Sequence, residues 1–538
     1  MRVEKNGTSF DVSFEYDPVI IDRIKKAPDG RRYIKSSRCW RLPITIDNIN
    51  FLLMNFDISA ENKNMLLIEL DGISKSPFSG AEISCFKWGN IKPFKHQKNG
   101  LSAILSNNFV ALFWEQGCGK TLPVIKAIEY YQKKSLIVCP KTVTVSWAEQ
   151  FETFSDVQPV IITGPAKKRK KMLLDKSNTF IINYDLLKTM ELDLISIRFD
   201  IIVFDESQYI KTPGSQRSKA AFRIAKNIKK RILLTGTPIT RSAEDIFSQF
   251  KILDPSIFGI SFYAFRNKYF HNVGWGNIPD WQIRPGALEE IKQKISLRAQ
   301  RLKKEDVLDL PDKLFQKLII EMTPEQKRIY KEIERDLVTT IDENEIVINF
   351  LVTKMMKLNQ VASGFIINEN EIIEISNKKT KETRQIFEDS DRPKIVIWAL
   401  FKHDIKAISA EFSDIKHEII DGSKTTDERM TAIDNFQNGD SKIIIIQEQA
   451  GATGITLTAS NLVIFYSHSY NLGNRLQAED RSHRIGQNKN VTYIDLIADG
   501  SIENDILENI NKKRLLSGYI QGDITRELFI ELKNRGKK

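Results

Sequence analysis

The sharpest chemistry in this sequence lies in Glu115-Gln116-Gly117-Cys118-Gly119-Lys120-Thr121. An apolar run, Phe109 to Trp114, precedes it, and a helical pattern follows. Phosphate binding needs that context, because glycines let backbone N–H groups close around the oxygens and a helix N-terminus adds a favourable field. Gly117, Cys118 and Gly119 would form the cradle, Lys120 would reach the β- and γ-phosphates, and the Thr121 hydroxyl would ligate Mg²⁺. The leading glycine of the fuller pattern is absent, so the loop is an abbreviated one. A chance Gly-Lys-Thr in a loop is the competing explanation. The second signal weakens it. Asp205-Glu206-Ser207-Gln208 follows the apolar run Ile201 to Phe204. An acidic pair at a strand end suits hydrolysis: Asp205 would hold Mg²⁺, directly or through water, and Glu206 would orient and deprotonate the attacking water. The third signal is the stretch Gln477 to Gln487, QAEDRSHRIGQ. Arg481 and Arg484 are three apart and would share a helix face, where two guanidinium groups can stabilise charge on a transferring phosphoryl group. A solvated basic face is the bland alternative.

These residues need elements to hold them. Short apolar runs without alternation recur at Phe109–Trp114, Leu136–Cys139, Phe180–Ile182, Ile201–Phe204 and Ile232–Leu234. A second set falls at Ile395–Leu400, Glu418–Ile420, Ile443–Ile446, Leu462–Tyr466 and Val491–Ile497. Such runs are strands buried on both faces, as in a parallel sheet covered by helices. Two sets mean two doubly wound domains, an α/β fold. Between them, at about 256–385, the pattern turns helical. Thr323 to Asp336 reads as one capped helix with Pro324 in its first turn, and Asn368 to Arg392 reads as an exposed linker. The first 90 residues differ. Phe10, Val12, Phe14 and Tyr16 alternate with polar residues, and Asp29-Gly30 signals a turn, so a small α+β module is expected there.

Bulk properties bound the answer. The 538 residues suit three or four domains, with 41% hydrophobic and 28% charged residues, as in a globular protein with real cores. The net charge of +11 permits a polyanionic partner without proving one. Cys39, Cys85, Cys118 and Cys139 form no CxxC pair or metal-ligand spacing, which argues against a disulfide framework or zinc site and for a reducing compartment. No signal-peptide pattern and no apolar run of membrane-spanning length is present. Lys167 to Lys171 (KKRKK) reads as a helix surface that is solvated or faces such a polyanion rather than a nuclear signal.

The order EQGCGKT, DESQ, LTGTP (Leu234 to Pro238) and QAEDRSHRIGQ resembles superfamily II helicase-like proteins, and within them the Swi/Snf-type DNA translocases. The stretches Ile295 to Lys313 and Asp421 to Asp440 resemble the same branch, and the likeness runs from about Pro93 to Leu516. It implies two RecA-like doubly wound lobes at 91–255 and 386–538, a helical insertion at 256–385 and an accessory module at 1–90. It also implies ATP and Mg²⁺ as cofactors. By the same resemblance, Gln97 reads adenine, while Gln477 joins Lys120, Glu206, Arg481 and Arg484 in the catalytic set. Lys141, Asn183, Gly454 and Thr456 become DNA-facing. Residues 8 to 56 resemble the HARP domain, and Phe265 to Trp281 the lobe-connecting insert, of the annealing-helicase branch. The implied activity is ATP-driven movement along double-stranded DNA without strand separation, remodelling branched DNA by fork regression or annealing. A motor that displaces bound proteins is an alternative, and an ATP-switched DNA clamp or scaffold another. The implied setting is a monomer in prokaryotic or phage-infected cytoplasm, with a replication, repair or nuclease partner. Three positions depart from the pattern: Gln449 stands where the family often has arginine, Gln208 replaces a histidine, and Cys118 introduces a thiol expected to be sensitive to alkylation.

Overall fold

The computed structural model describes residues 1–75, 78, 86, 88–89, 91–274, 279–307, 310–338, 346–368, 371–451 and 455–521. They divide into two compact units, one built on Met1–Lys303 and the other on Lys304–Leu515.

The first unit opens with the N-terminal module. Strands β1 (Arg2–Asn6), β2 (Ser9–Ser13), β3 (Arg32–Ile34) and β4 (Cys39–Pro43) form an antiparallel sheet in the order β1-β2-β4-β3. Phe10 and Val12 are fully buried, as their alternation requires. The alternation does not continue as strand: β2 ends at Ser13, and Tyr16 is 85% exposed. The helix Pro18–Ile24 follows β2, and the helices Ile46–Asn55 and Ala60–Ser74 complete the module. Asp47, in the first turn of the former, accepts ion pairs from Lys268 and Lys294 at 2.5 Å each. Arg298 donates to Asp254 at 2.7 Å and to the carbonyl of Ile73, near the end of the latter helix, at 2.7 Å. A cation is favoured at that end of a helix.

The rest of this unit is a seven-stranded sheet. It comprises β5 (Phe109–Trp114), β6 (Ser135–Cys139), β7 (Val160–Ile161), β8 (Thr179–Asn183), β9 (Ile201–Asp205), β10 (Lys230–Leu234) and, after the hairpin β11 (Phe270–Asn272) and β12 (Trp281–Ile283), β13 (Ala299–Leu302). The order is β13-β5-β10-β9-β6-β8-β7, and every pairing is parallel. All carboxyl ends therefore lie along one edge, where open α/β sheets place their ligands. The second unit holds β14 (Lys313–Ile320), a hairpin of β15 (Phe365–Asn368) and β16 (Glu371–Glu374), then β17 (Ile395–Ala399), β18 (His417–Ile420), β19 (Ile443–Gln447), β20 (Leu462–Phe465) and β21 (Val491–Ala498). Its main sheet runs β14-β21-β20-β17-β19-β18, again parallel. Ile443 and Ile445 enter one core, Ile444 and Ile446 the other, which is the burial on both faces that an unbroken apolar run predicts. These are the two doubly wound lobes.

Residues 256–385 carry helices between the two lobes in sequence and also supply β13 to one sheet and β14 to the other. One expectation is corrected. Asn368 to Arg392 is not simply an exposed linker: Lys378–Asp389 is a helix that buries Lys379, Thr380 and Thr383, and Lys379 pairs with Glu503 at 2.6 Å. The helix Pro324–Val338 begins as expected, with Thr323 Oγ1 accepting from Gln326 N at 3.2 Å and Gln326 Oε1 from Thr323 N at 3.3 Å.

Candidate nucleotide site

Register brings the first two signals together. Leu234 of β10 pairs with Leu112 of β5 on one side and Asp205 of β9 on the other. The loop after β5, the DESQ turn after β9 and the LTGTP turn after β10 thus leave the sheet side by side. Gly236 of the last turn lies against the first loop: a Cβ there would stand 3.2 Å from the Trp114 carbonyl and 3.3 Å from Gln116 N.

The loop 115–120 leads directly into the helix Thr121–Tyr131. Gly117 (φ 88°) and Gly119 (φ 73°) take the left-handed conformation that glycine adopts without strain. Lys120 Nζ donates to the carbonyls of Trp114 at 2.8 Å and Glu115 at 3.4 Å, which folds the amine over the loop. The helix Lys95–Ser106 is fastened to the same loop. Gln97 Nε2 donates to the Gly119 carbonyl at 3.2 Å, its Oε1 accepts from Phe94 N at 2.9 Å, and His96 Nε2 lies 2.8 Å from the Cys118 carbonyl. Burial pulls the His96 ring below its ordinary pKa, so the neutral ring donating to that carbonyl is favoured. Cys118 is 2% exposed, so the thiol is shielded and the expected sensitivity to alkylation is corrected.

The acidic pair is held by donors from four segments. Trp147 Nε1 donates to Asp205 Oδ2 at 2.8 Å, and Glu206 N to Asp205 Oδ1 at 3.0 Å. Tyr184 donates its hydroxyl to the Asp205 carbonyl at 2.7 Å. Burial and the neighbouring Glu206 push the Asp205 carboxyl up to about 6. Glu206 adopts φ 52°, an uncommon conformation for a residue with a side chain. Its Oε1 accepts from Gln116 Nε2 at 3.2 Å and its Oε2 from Gln208 Nε2 at 2.8 Å. Gln208 Oε1 in turn accepts from the Thr235 hydroxyl at 2.6 Å, which links DESQ to LTGTP.

Oxygen donors at Asp205 and Thr121 suit a hard cation such as Mg²⁺, which takes one or two protein ligands beside phosphate and water. The Asp205 carboxylate accepts from two neutral N–H groups, so a cation would answer its charge. Among the described residues no group of three or more His, Cys, Asp or Glu side chains could hold a metal by itself.

In the second unit, Gln477 and Arg481 belong to the helix Leu472–Ser482, and both are buried. Arg484 does not share that helix, contrary to the expected common face. The chain leaves the helix at His483, whose Nε2 lies 2.6 Å from the Pro311 carbonyl and whose own carbonyl accepts from Lys304 at 2.8 Å. The two arginines still converge, each donating to the Ile455 carbonyl at 3.2 Å, with Arg484 also donating to Thr456 Oγ1 at 2.8 Å. Glu479 and Asp480, between the functional candidates, serve the fold. Glu479 receives Arg475 at 3.0 Å and Arg514 at 2.7 Å, while Asp480 pairs with Lys304 at 2.7 Å.

Of the residues expected to face DNA, Lys141 is exposed in a 3₁₀ turn after β6, and Asn183 ends β8 with its side chain accepting from Asp185 N at 3.0 Å. Gly454 lies outside the described residues. Gln449 is exposed on the short helix Glu448–Gly451. Sequence reasoning gave no role to Gln116 and Thr235, although both lie in motifs it quoted, and it missed Trp147 altogether; the partners of all three are long-range, and no local spacing announces those contacts.

Two parallel α/β lobes with a phosphate loop, an acidic turn and a paired-arginine segment define the class of helicase-like ATPase cores. Residues 95–388 match the SNF2-related domain and residues 378–486 the helicase conserved C-terminal domain. The chain belongs to the SNF2-related family. It is 29% identical over 447 residues to the human DNA annealing helicase and endonuclease ZRANB3, covering 80% of this chain and 40% of that protein. It is 28% identical to the Mycoplasma genitalium "Uncharacterized ATP-dependent helicase MG018", covering 78% and 41%. It is 26% identical to the Xenopus laevis SWI/SNF-related matrix-associated actin-dependent regulator of chromatin subfamily A-like protein 1, covering 95% and 51%. The chain thus spans between 40% and 51% of the length of these relatives. The Sulfolobus solfataricus SWI2/SNF2 ATPase core in complex with dsDNA is 26% identical, with a TM-score of 0.40, covering 82% of this chain and 98% of that one. No described helix is long and apolar enough to cross a membrane.

Proposed function

We propose that this chain is a DNA-dependent ATPase that moves along double-stranded DNA and remodels branched DNA, by fork regression or strand annealing, without separating strands. The observation that carries the ATPase reading is the continuous network from Gln116 of the phosphate loop through Glu206 and Gln208 to Thr235. It ties the elements that would grip phosphate, hold metal and activate water. Lys120 binds the β- and γ-phosphates, and Gly117, Cys118 and Gly119 cradle them. Thr121 and Asp205 hold Mg²⁺, which would neutralise phosphate charge when bound. Glu206 orients the attacking water and takes its proton, and Gln97 reads the base. Arg481 and Arg484, together with Gln477, answer the charge on the transferring phosphoryl group. Lys141, Asn183, Gly454 and Thr456 are the residues we assign to contact with the DNA backbone.

Support for the branched-DNA part comes from the human relative, whose name makes it a DNA annealing helicase, and from the likeness of residues 8–56 to a HARP domain. The alternatives, a motor that strips proteins from DNA and an ATP-switched clamp, differ in substrate and in turnover. The deciding experiment measures ATP hydrolysis with duplex, single-stranded and forked DNA, alongside regression of a model fork. Stimulation by duplex and forked DNA with fork regression supports the reading. Nucleotide binding without DNA-stimulated hydrolysis favours the clamp. DNA stimulation without fork regression leaves the motor and removes the branched substrate.

A further inference from the structure

We propose that Trp147 is a positioning residue for the metal: its indole N–H fixes the Asp205 carboxylate in the orientation that receives Mg²⁺. This rests on the reading of Asp205 as the metal-facing carboxylate. Trp147 lies in the helix Thr144–Phe154, is 2% exposed, and packs beside Phe151 with ring centroids 6.2 Å apart.

The geometry leaves the carboxylate little freedom. The terminal torsion of an aspartate is broad and selects no orientation by itself. Here Trp147 Nε1 holds Oδ2 at 2.8 Å while Glu206 N holds Oδ1 at 3.0 Å. Rotation of the carboxyl plane breaks one bond or the other. The Tyr184 hydroxyl, on the Asp205 carbonyl, anchors the main chain behind it. Without the indole, the one donor left to this carboxylate among the described residues would be the next residue's own backbone.

The kind of donor also matters. A lysine or arginine at position 147 would orient the carboxylate but neutralise it, and would compete with a metal. An indole N–H is a donor without formal charge, and a buried one needs a partner. It orients the oxygen and leaves the negative charge to be answered by a cation. Outer-shell partners of this type commonly set metal affinity or activity by about 10–100-fold.

The test uses the full chain and Trp147→Phe, which keeps a ring and deletes the N–H. Mg²⁺ is titrated against a fixed concentration of a fluorescent ATP analogue, and equilibrium binding is read by anisotropy. The midpoint for Mg²⁺ is expected to rise about tenfold, with analogue affinity in chelator unchanged. DNA-stimulated turnover should return toward the wild-type rate at high Mg²⁺, which a packing defect would not allow. An unmoved midpoint, or a turnover deficit that Mg²⁺ does not restore, overturns the proposal. Asp205→Asn separates the two levels of inference: if it too leaves the midpoint unmoved, the metal reading of Asp205 fails and takes the proposal with it. Should Trp147→Phe fail to bind analogue even in chelator, Trp147→Met, which also lacks a donor and adapts to irregular space, is read by the same criteria.

Discussion

Consider Asp47→Ala, a change in the N-terminal module far from every nucleotide-site residue in sequence. Asp47 accepts Lys268 and Lys294 at 2.5 Å each, and the Lys294 side chain is only 8% exposed. Deleting the carboxylate leaves both amines with Glu290, at 2.9 Å from Lys268 and 3.6 Å from Lys294. Removing one partner of a buried ion pair costs about 3–5 kcal/mol. Glu290 offsets part of that, so the expected loss is about 2–4 kcal/mol in the first unit. At about 2–4 °C per kcal/mol, its melting transition should fall by roughly 4–16 °C. The sign with pH follows from the same cluster. Burial pushes the Asp47 carboxyl up, but Lys294 and Lys268 outweigh it and hold the group below its ordinary value. The stabilisation is therefore present above the ordinary carboxylate range and is lost as pH falls through the lowered folded value. The assay is thermal unfolding of Asp47→Ala, Lys268→Met and the double variant, at neutral pH and near pH 4. A loss below about 0.5 kcal/mol in Asp47→Ala, or strict additivity in the double variant, would refute the reasoning. The cluster also bears on removal of residues 1–90. The module's sequence contains none of the nucleotide-site candidates, which suggests an independent motor. Yet its loss would strip partners from Lys268, Lys294 and Arg298, so the truncated chain should be less stable even where it retains hydrolysis.

Three further outcomes are expected. Lys120→Ala should lose both analogue binding and turnover, whereas Glu206→Gln should bind the analogue normally and not hydrolyse ATP; normal hydrolysis by Glu206→Gln would remove it as the base. Arg484→Ala should lose on the order of a thousandfold in DNA-stimulated turnover with near-normal analogue affinity, and retained turnover would leave Arg481 as the sole candidate finger. Glu479→Gln should lower the melting point of the second unit and flatten its acid dependence: burial raises that carboxyl, but Arg514, Lys313 and Arg475 hold it down at about 2, so its contribution is present above the ordinary carboxylate range and fades as pH falls toward 2. Identical acid unfolding of variant and wild type would contradict this.

What was legible in the sequence follows from burial. Strands β5, β9 and β19 are almost wholly enclosed, so their apolar runs announce themselves. Strand β14 was missed because most of its residues are exposed or half-exposed at the sheet edge, which leaves Lys313 to Ile320 without a continuous apolar signal. Strand β13 is only four residues long and mostly half-buried. The helix Lys378–Asp389 is largely polar: its fully buried residues are Lys379, Thr380 and Thr383, and only Ile386 and Phe387 add hydrophobic contact with the core, too few to mark a helix by periodicity. At the site, Lys120, Asp205 and Glu206 were visible because their chemistry is written in short motifs. Trp147 was not, since 58 residues separate it from Asp205 and a tryptophan in an apolar helix reads as core. The shared-face argument for Arg481 and Arg484 failed locally because His483 and Lys304 draw the chain out of the helix, a contact no periodicity records.

The fastening of His96 and Gln97 to the carbonyls of Cys118 and Gly119 has a consequence for exchanging parts between proteins. Two successive side chains meet two successive carbonyls, so neither strip of chain can slip by one residue without breaking both bonds. A Cβ at position 119 would stand 2.3 Å from the Gln97 amide nitrogen, so even alanine there displaces its neighbour. The first turn of the helix Lys95–Ser106 and the phosphate loop are in effect a single cassette. On the proposed base-reading role of Gln97, a designer who wished to change the accepted base could not replace Gln97 alone; the turn and the loop would have to be transplanted together, already matched to one another.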